Sequence, residues 1–597
     1  MVNDILFREA ANVMALRSPS ATGLYRPLSP TTKEIRILIL EPGPSEAAIK
    51  CHLQHVSLNS TLEFEALSYM WGDPSRLRRI HLSGHEWTVT ENLERALRHH
   101  REEQEPRPLW VDALCINQSD MAERSQQVGM MREIYATAER VIARTGKASQ
   151  DSEEAIELIK EMGRFMRIHD GHLPPMTTIT ADDLRQRGFD PSTKAWGALW
   201  ALFDRPYWGR VWMVQELASH DSVVIVAGYS FALKGDYIRT CILIQALARS
   251  TKYRSSTTGL REEPIHSLQM RDYPKALGMR NILSLCNKVD TQAKLLILLS
   301  GMFNMEASDY RDRIYAIMGV VGDELSAFPA DYTKPKERVF QDYVKFLVRR
   351  HHNLLCLQGN RQKAVDFGPS WIPALSTGLP GGAVWAFSDH PYRASGGRAV
   401  EVVFDENCSL LHARGIMVGR LRVVHGPFTK EDTDPQREKL YSYLCELDEH
   451  MRLAVWRALV MDTDLTDWDN PVFPAPQEFY RMHRVLYHLD APPRDFEPRQ
   501  PYHTRCVNYV NKYEENMNGC LLNRQFFATD NGYVGIGPFR ARMDDVVVIL
   551  FGGTFSFVLR PKGEIYELIG DAYVQGVMLG ELVAAAASTQ VRTFTLC

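Results

Sequence analysis

The chain has 597 residues, of which 45% are hydrophobic and 24% are charged; these are ordinary values for a globular protein, and the length predicts two or three domains. Its formal net charge of −4 gives no general attraction to nucleic-acid phosphate, so we expect no nucleic-acid partner. The ten cysteines form no Cys-x-x-Cys pair and no apolar run approaches the roughly 18 residues of a membrane-spanning helix, which predicts a cytoplasmic protein with reduced thiols.

The first part of the chain predicts a doubly wound α/β domain over residues 35–230, preceded by a flexible lead-in over 1–34. The near-continuous apolar run at 109–116 is typical of a strand that is covered on both faces. A helical pattern and a second strand at 140–143 follow it, and such a βαβ unit produces parallel strands. Further strands are predicted at 35–40, 64–69, 80–82, 86–89 and 223–226, and further helices at 92–100, 152–168 and 195–202.

The remainder predicts a mainly helical region at 231–360, a mixed, loop-rich region at 361–500 and a β-rich C-terminal domain at 501–597. Helical spacing occurs at 237–248, 279–305, 312–321, 339–347 and 432–460, whereas 464–502 is Pro-rich and irregular. In the last region, Asp530-Asn531-Gly532 predicts a hairpin turn. Strands are predicted at 399–404, 410–424, 546–551, 555–559 and 566–569.

Polar and aromatic residues stand beside apolar strands or helices in three segments, 64–73, 109–146 and 204–227. Because ligands bind at the carboxyl ends of the strands in open α/β sheets, we predict that the three segments meet in one crevice. The candidate residues of this crevice are Ser68, Trp71, Asp73, Asp112, Asn117, Arg124, Arg210, Trp212 and Glu216.

Each candidate also has a structural role open to it. The tryptophans would fill the core, and Asp112 or Asn117 would cap a helix or a turn. Arg210 would form an ion pair with Glu216 or Asp204. The chain has neither a Gly-x-Ser-x-Gly elbow nor a Walker phosphate loop, and its histidine pairs are adjacent, so that their rings diverge. We therefore expect no metal site.

The residues of the three segments resemble, in order and spacing, the blocks of the fungal heterokaryon incompatibility (HET) domain. Two further stretches, 309–316 and 570–581, are similar to sequences that commonly accompany HET domains, so the resemblance extends from about residue 25 to residue 582. The blocks are 66–73, 109–118, Glu123-Arg124, Gln127-Val128, Met131, Ile134-Tyr135, 210–212 and 215–216.

This resemblance implies a fungal protein of allorecognition, in which the fusion of unlike cells triggers programmed cell death. It also implies protein partners, either an incompatibility partner or further copies of the chain. HET domains are distantly similar to the flavodoxin-like TIR domains, and residues 67–73 and 212–217 resemble two TIR blocks. Met213 stands where TIR domains have Cys, and 143–146 reads Ala-Arg-Thr-Gly where HET proteins usually have Trp-Leu-Gly.

In NAD-cleaving TIR domains the Glu of the second block is catalytic, and the resemblance transfers that role to Glu216. NAD would then be a substrate, with no cofactor or metal required. Trp71 or Trp212 would stack on a ring, and Arg124 or Arg210 would bind the pyrophosphate. Two alternatives stay open: a non-catalytic protein-interaction module, and a small-molecule biosynthetic enzyme on the same scaffold.

Overall fold

The described part of the computed structural model divides into two compact units, one ending at Pro335 and the other beginning at Lys336. All but the last residue of the predicted helix at 279–305 lies outside the described residues. The structure describes residues 24–168, 181–186, 188–190, 193–244, 305–321, 328–359, 368–373, 390–407, 409–428, 435–465, 471–493 and 502–597.

The first unit is built on a mixed sheet whose described strands follow the order β5-β4-β2-β1-β6-β3-β7-β8-β9. At its centre β6, β3, β7 and β8 run parallel, and Ser68 of β3 lies opposite Ala143 of β7. The predicted α/β class is confirmed, and the sheet is mixed because β1 and β9 join its parallel centre antiparallel. The strands are β1 Glu34–Leu40, β2 Lys50–Ser57, β3 Glu65–Tyr69, β4 Leu77–Leu82, β5 His85–Thr90, β6 Arg107–Trp110, β7 Arg140–Arg144, β8 Val223–Ala227 and β9 Ser230–Leu233.

The run at 109–116 is a strand only in its first part. The strand β6 ends at Trp110, and Asp112–Cys115 forms one helical turn. Asp112 stabilises this turn through its side chain, which accepts a hydrogen bond of 2.8 Å from the backbone N–H of Ala113. The strand prediction was therefore wrong beyond residue 110, and the turn leaves Asp112 at the carboxyl end of β6.

Helices connect the strands of the first unit largely where periodicity predicts them. The helix Met121–Thr137 begins as expected at Asp120, whose carboxylate accepts hydrogen bonds from the N–H groups of Ala122 and Glu123. The other helices of this unit are Glu91–His100, Ser152–Ile168, Ala181–Gln186, Lys194–Phe203, the 3-10 helix Pro206–Gly209, Met213–Ala218, 234–244 and Asp312–Val321.

The second unit contains a closed antiparallel sheet. β11 pairs with both β12 and β14, so the order β11-β12-β13-β16-β15-β14 returns to its starting strand. The predicted hairpin turn at 530–532 lies between β12 and β13. The strands are β10 Val402–Phe404, β11 Leu411–His425, β12 Arg524–Thr529, β13 Val534–Pro538, β14 Val546–Leu550, β15 Ser556–Lys562, β16 Ile565–Val574 and β17 Val591–Leu596.

The two longest unpredicted helices in the described part of the second unit are Glu478–Leu486 and Tyr502–Leu521. Glu478–Leu486 lies in the segment expected to be irregular, and the 20-residue helix Tyr502–Leu521 begins the region expected to be β-rich. The remaining helices of this unit are Lys336–His351, the 3-10 helix Leu355–Leu357, Pro435–Glu446, Glu449–Leu459, Glu581–Ala585 and the 3-10 helix Ser588–Gln590. No helix in the described part of the chain is long and apolar enough to cross a membrane.

Candidate functional site

Ser68 and Glu216 meet inside the first unit, although 148 residues separate them. Ser68 is the penultimate residue of β3, and its hydroxyl donates a hydrogen bond to Oε2 of Glu216 on the short helix Met213–Ala218. Only 1% of each residue is exposed. The first and third segments therefore meet at these two residues.

Arg210 completes the coordination of the Glu216 carboxylate. Its Nη1 lies 3.2 Å from Oε2 and its Nη2 lies 3.3 Å from Oε1, a bidentate arrangement. The contact is possible because Pro206–Gly209 forms a 3-10 turn that brings Arg210 back over the next helix. Of the two partners that the sequence allowed for Arg210, the structure selects Glu216.

Asp112 brings the second segment to the same place. Burial raises the pKa of its carboxyl to about 6; Arg210 opposes this shift and the negative charge of Glu216 adds to it. Trp71 donates a hydrogen bond of 2.9 Å from its indole N–H to Oδ2 of Asp112. Four predicted residues thus gather around Glu216: Ser68, Trp71, Asp112 and Arg210.

Arg124 and Trp212 belong to a neighbouring cluster centred on Asp312. Arg124 lies 3.9 Å from Oδ1 of Asp312 and stacks on the ring of Tyr332 at 3.8 Å. Trp212 donates a side-chain hydrogen bond to Asp312, and the Tyr332 hydroxyl donates another of 2.5 Å. Burial raises the pKa of Asp312 to about 6. The sequence indicated 309–316 by resemblance alone, and the structure gives this stretch a physical partner.

The same late segment also holds the Arg210 loop through its backbone. Glu306 and Arg210 form an isolated parallel bridge. The N–H of Val211 donates to the carbonyl of Glu306 at 3.1 Å, and the N–H of Glu306 donates to the carbonyl of Gly209 at 2.5 Å. Residues 305–321 and 328–335, which we call the clamp, therefore fix the loop that carries the partner of Glu216.

Two predicted residues lie outside the Glu216 cluster. Asp73 is exposed, and its carboxylate accepts hydrogen bonds from the N–H and the hydroxyl of Ser75 in a turn. The Asn117 side chain accepts hydrogen bonds from the N–H and the hydroxyl of Ser119. Both arrangements are local turns of the kind that Asp and Asn commonly form. The structure therefore does not place these two side chains with Glu216.

Three buried tyrosines that the sequence did not select surround the cluster. Because Ser68 donates its one hydroxyl proton to Glu216, Tyr207 is the donor in its own 2.7 Å contact with Ser68. Burial, together with the Glu216 charge, raises the pKa of Tyr207, Tyr69 and Tyr135. In the sequence these rings looked like ordinary core residues, and only the position of Tyr69 at the end of β3 offered a signal.

The cluster holds two carboxylates of different character around one guanidinium. Glu216 is bound to Arg210 and Ser68, whereas burial raises the pKa of Asp112 to about 6. A fixed carboxylate can stabilise a nearby cation, and a carboxyl group with a raised pKa can accept a proton, so this arrangement can do both. Within the described residues, no group of three or more metal-ligating side chains occurs.

Two family models match parts of this chain. Residues 64–216 match the family model described as "Heterokaryon incompatibility protein (HET)", and residues 502–595 match the model described as "Het-6 beta-barrel domain". The chain is therefore similar to heterokaryon incompatibility proteins in two separate regions, one that matches the HET domain and a later one that matches the Het-6 β-barrel domain. The HET match ends at Glu216 itself.

The particular relative found among curated proteins is Heterokaryon incompatibility protein 6, OR allele, of Neurospora crassa. It is 25% identical to this chain, over 94% of the chain and 96% of the relative. No solved structure matches.

Proposed function

We propose that this protein mediates incompatibility between genetically unlike fungal cells, through a protein partner or through self-assembly, and that its HET domain signals by hydrolysing NAD. The family and the name of the Neurospora relative support the first part. The observation that carries the second part is the junction of Ser68, Asp112 and Arg210 around the Glu216 carboxylate.

The reaction breaks the bond between nicotinamide and ribose. Nicotinamide leaves with the bonding electron pair, and positive charge spreads over the ribose ring. The Glu216 carboxylate stabilises this charge, while Asp112 accepts a proton from the attacking water; the products are ADP-ribose, nicotinamide and one proton. Trp71, which is partly exposed and bound to Asp112, supplies a ring for stacking.

Access to Glu216 requires a local rearrangement, because its side chain is 1% exposed and bound by Arg210. An anionic substrate would compete with Glu216 for Arg210, since a guanidinium binds carboxylate and phosphate through the same two-pronged geometry. Arg210 would then hold the pyrophosphate and leave the carboxylate facing the ribose. In this proposal, the clamp controls how readily the Arg210 loop moves.

The second candidate is a non-catalytic interaction module. The burial of Glu216 and its complete set of partners favour it, since the same contacts would simply stabilise the fold that presents a binding surface. Glu216→Gln distinguishes the two candidates, because the amide keeps the size of the side chain but removes its charge. The enzymatic candidate predicts that the variant loses activity, whereas the interaction module predicts that it keeps its effect on viability.

The test is overexpression in a fungal host of wild type, Glu216→Gln and Asp73→Asn, which changes an exposed carboxylate. The proposal expects wild type and Asp73→Asn to lower both viability and cellular NAD, and Glu216→Gln to do neither at equal protein levels. Cell death with unchanged NAD in wild type, or cell death with wild type and both variants, would refute the proposal that the HET domain hydrolyses NAD. Either result would favour the interaction module.

A further inference from the structure

A second concentration of positive charge lies at the carboxyl edge of the sheet. Arg144 is the last residue of β7, between β3 and β8 at the centre of the sheet. Burial lowers the pKa of Arg144, and the nearby positive charge of Arg95, on the helix Glu91–His100, lowers it further. Two guanidinium groups therefore approach each other where open α/β sheets bind their ligands.

Neither guanidinium is fully compensated within the described residues. The Nη1 atoms of Arg95 and Arg144 are both buried without a hydrogen-bond acceptor. The nearby carboxylate of Glu91 is shared among Arg76, Arg78 and Arg95 at 3.5, 2.6 and 3.0 Å. Buried N–H groups of a charged side chain are costly to leave without an acceptor, so this arrangement favours an anion.

The surrounding side chains add recognition without adding charge. Burial and nearby arginines lower the pKa of His99 to about 4 and that of His100 to about 2, so both rings are neutral at physiological pH. The ring of Tyr229 is 87% exposed and lies 5.0 Å from the ring of His99. An exposed aromatic ring beside paired arginines suits a ligand that joins a phosphate to a planar group.

Arg95 and Arg144 lie apart from the Glu216 cluster. Ser68 lies opposite Ala143 in the register of β3 and β7, and its side chain faces Glu216. Successive residues of a strand point to opposite faces, so Arg144 points to the face that Glu91–His100 covers. Anion binding by Arg95 and Arg144 does not require Glu216 to be catalytic.

We propose that Arg95 and Arg144 form a binding site for the phosphate or pyrophosphate group of a small ligand, on the face of the sheet opposite Glu216. The site would let the chain respond to a phosphorylated metabolite independently of the chemistry at Glu216. Each arginine would supply at least one charge-assisted hydrogen bond from its buried Nη1.

The test measures binding of inorganic pyrophosphate to the full chain by calorimetry and by thermal stabilisation, against sodium chloride of equal ionic strength. The variants are Arg144→Gln and Arg95→Gln, with Arg79→Gln as control, since Arg79 is 78% exposed and paired with Glu86. We expect the dissociation constant to rise about tenfold or more in each of the two variants and to stay unchanged in the control.

A readout without ligand separates this role from a structural one. Arg144→Gln removes a partly buried charge that repels Arg95, so the melting temperature of the free variant should equal or exceed that of wild type. Binding to wild type no tighter than to Arg144→Gln would overturn the proposal. So would the absence of stabilisation by pyrophosphate beyond that of the salt control.

Discussion

Arg210 and Glu216 form an ion pair that water hardly reaches, with 15% and 1% of their side chains exposed. The desolvation of such a pair consumes much of its attraction, so the pair as a whole adds little net stability. Removing one partner is destabilising, because it leaves the other charge buried and uncompensated. This asymmetry makes the pair a sensitive point of the HET domain.

Arg210→Met should therefore destabilise the protein by about 3–5 kcal/mol, as expected for a broken buried pair. The control is Arg79→Met, which removes one member of an exposed pair and should cost about 1 kcal/mol or less. Urea unfolding measures the free energy of unfolding of both variants. Equal losses in the two variants would contradict the buried pair described here.

Asp112 provides a test by pH. Its pKa is raised in the folded protein to about 6, so between about pH 4 and pH 6 the unfolded chain loses its proton while the folded chain keeps it. Wild type thus loses stability relative to Asp112→Asn as pH rises through this range, by about 2 kcal/mol, and the difference is constant above it.

Urea unfolding of both proteins at pH 4 and pH 7 measures this change in the difference. Asp73→Asn is the control, because hydrogen bonds from Ser75 lower the pKa of Asp73 and give a pH dependence of opposite sign. A difference between wild type and Asp112→Asn that is the same at both pH values would show that Asp112 titrates normally.

Strand ends explain the positions of two predicted residues, since Ser68 lies near the end of β3 and Asp112 follows the end of β6. Arg210 follows the 3-10 turn Pro206–Gly209, and Glu216 lies on the short helix Met213–Ala218. Asp73 and Asn117 also follow strands or turns, but their own side chains fold back locally, which spacing alone does not reveal. The part of the site that sequence missed, Tyr207, depends on a 3-10 turn.

At the scale of elements, the clamp is the least expected feature of the first unit. It lies about 90 residues beyond the end of the HET match, yet it pairs with Arg210 through its backbone and binds Trp212 through Asp312. The Arg210 loop is therefore held from outside the matched domain. A HET fragment that ends near residue 230 would lack these contacts.

Asp312→Asn should loosen this loop. An amide accepts hydrogen bonds from Trp212 and Tyr332 less strongly than a carboxylate and removes the negative charge nearest to Arg124, so the backbone N–H of Val211 should exchange about tenfold faster. Hydrogen exchange measures this.

The matched control is Asp331→Asn in the same segment. The Asp331 carboxylate accepts hydrogen bonds from the N–H and the hydroxyl of Thr333 in a turn. Unchanged exchange at Val211 in Asp312→Asn, or equal acceleration in the control, would show that Asp312 does not hold the loop.

Element prediction failed in two instructive places. The run at 109–116 is apolar throughout, and nothing in its hydropathy distinguishes a strand from a strand followed by a helical turn. The helix Tyr502–Leu521 buries Tyr509, Tyr513 and Met517, which recur every four residues. That period was available in the sequence, but the strand-rich composition of residues 524–574 obscured it.

At the scale of the whole molecule, each unit has a buried ion pair of its own. In the second unit, Arg524 on β12 and Asp571 on β16 are both 0% exposed and lie 3.2 Å apart. Asp571 also accepts a hydrogen bond of 3.0 Å from the N–H of Gly359. The pair thus ties two strands of the closed sheet to an earlier segment of the chain.

Asp571→Asn should destabilise the second unit by about 3–5 kcal/mol, since Arg524 would remain buried without its anion. Hydrogen exchange should accelerate in β12 and β16 and stay unchanged in β3 and β7, because each unit has its own core. Asp544→Asn is the control, as Asp544 belongs to an exposed pair with Arg422. Exchange that is no faster in Asp571→Asn than in the control would contradict this account.

The sequence predicts two or three domains from length, and the described residues divide into two compact units. The closure of the second sheet could not be predicted from the sequence. It requires β11 to pair with β14, and these strands are more than 120 residues apart in sequence. Long-range pairing of this kind leaves no local signal for a sequence to show.

The central claim, that Glu216 serves a reaction, is tested most directly with purified full-length protein incubated with NAD at high protein concentration, with nicotinamide release as the readout. We expect release by wild type and by Asp73→Asn, and a rate at least about a hundredfold lower in Glu216→Gln of matched folded content. No release by wild type even when the chain is forced to oligomerise, or equal release by Glu216→Gln, would contradict it.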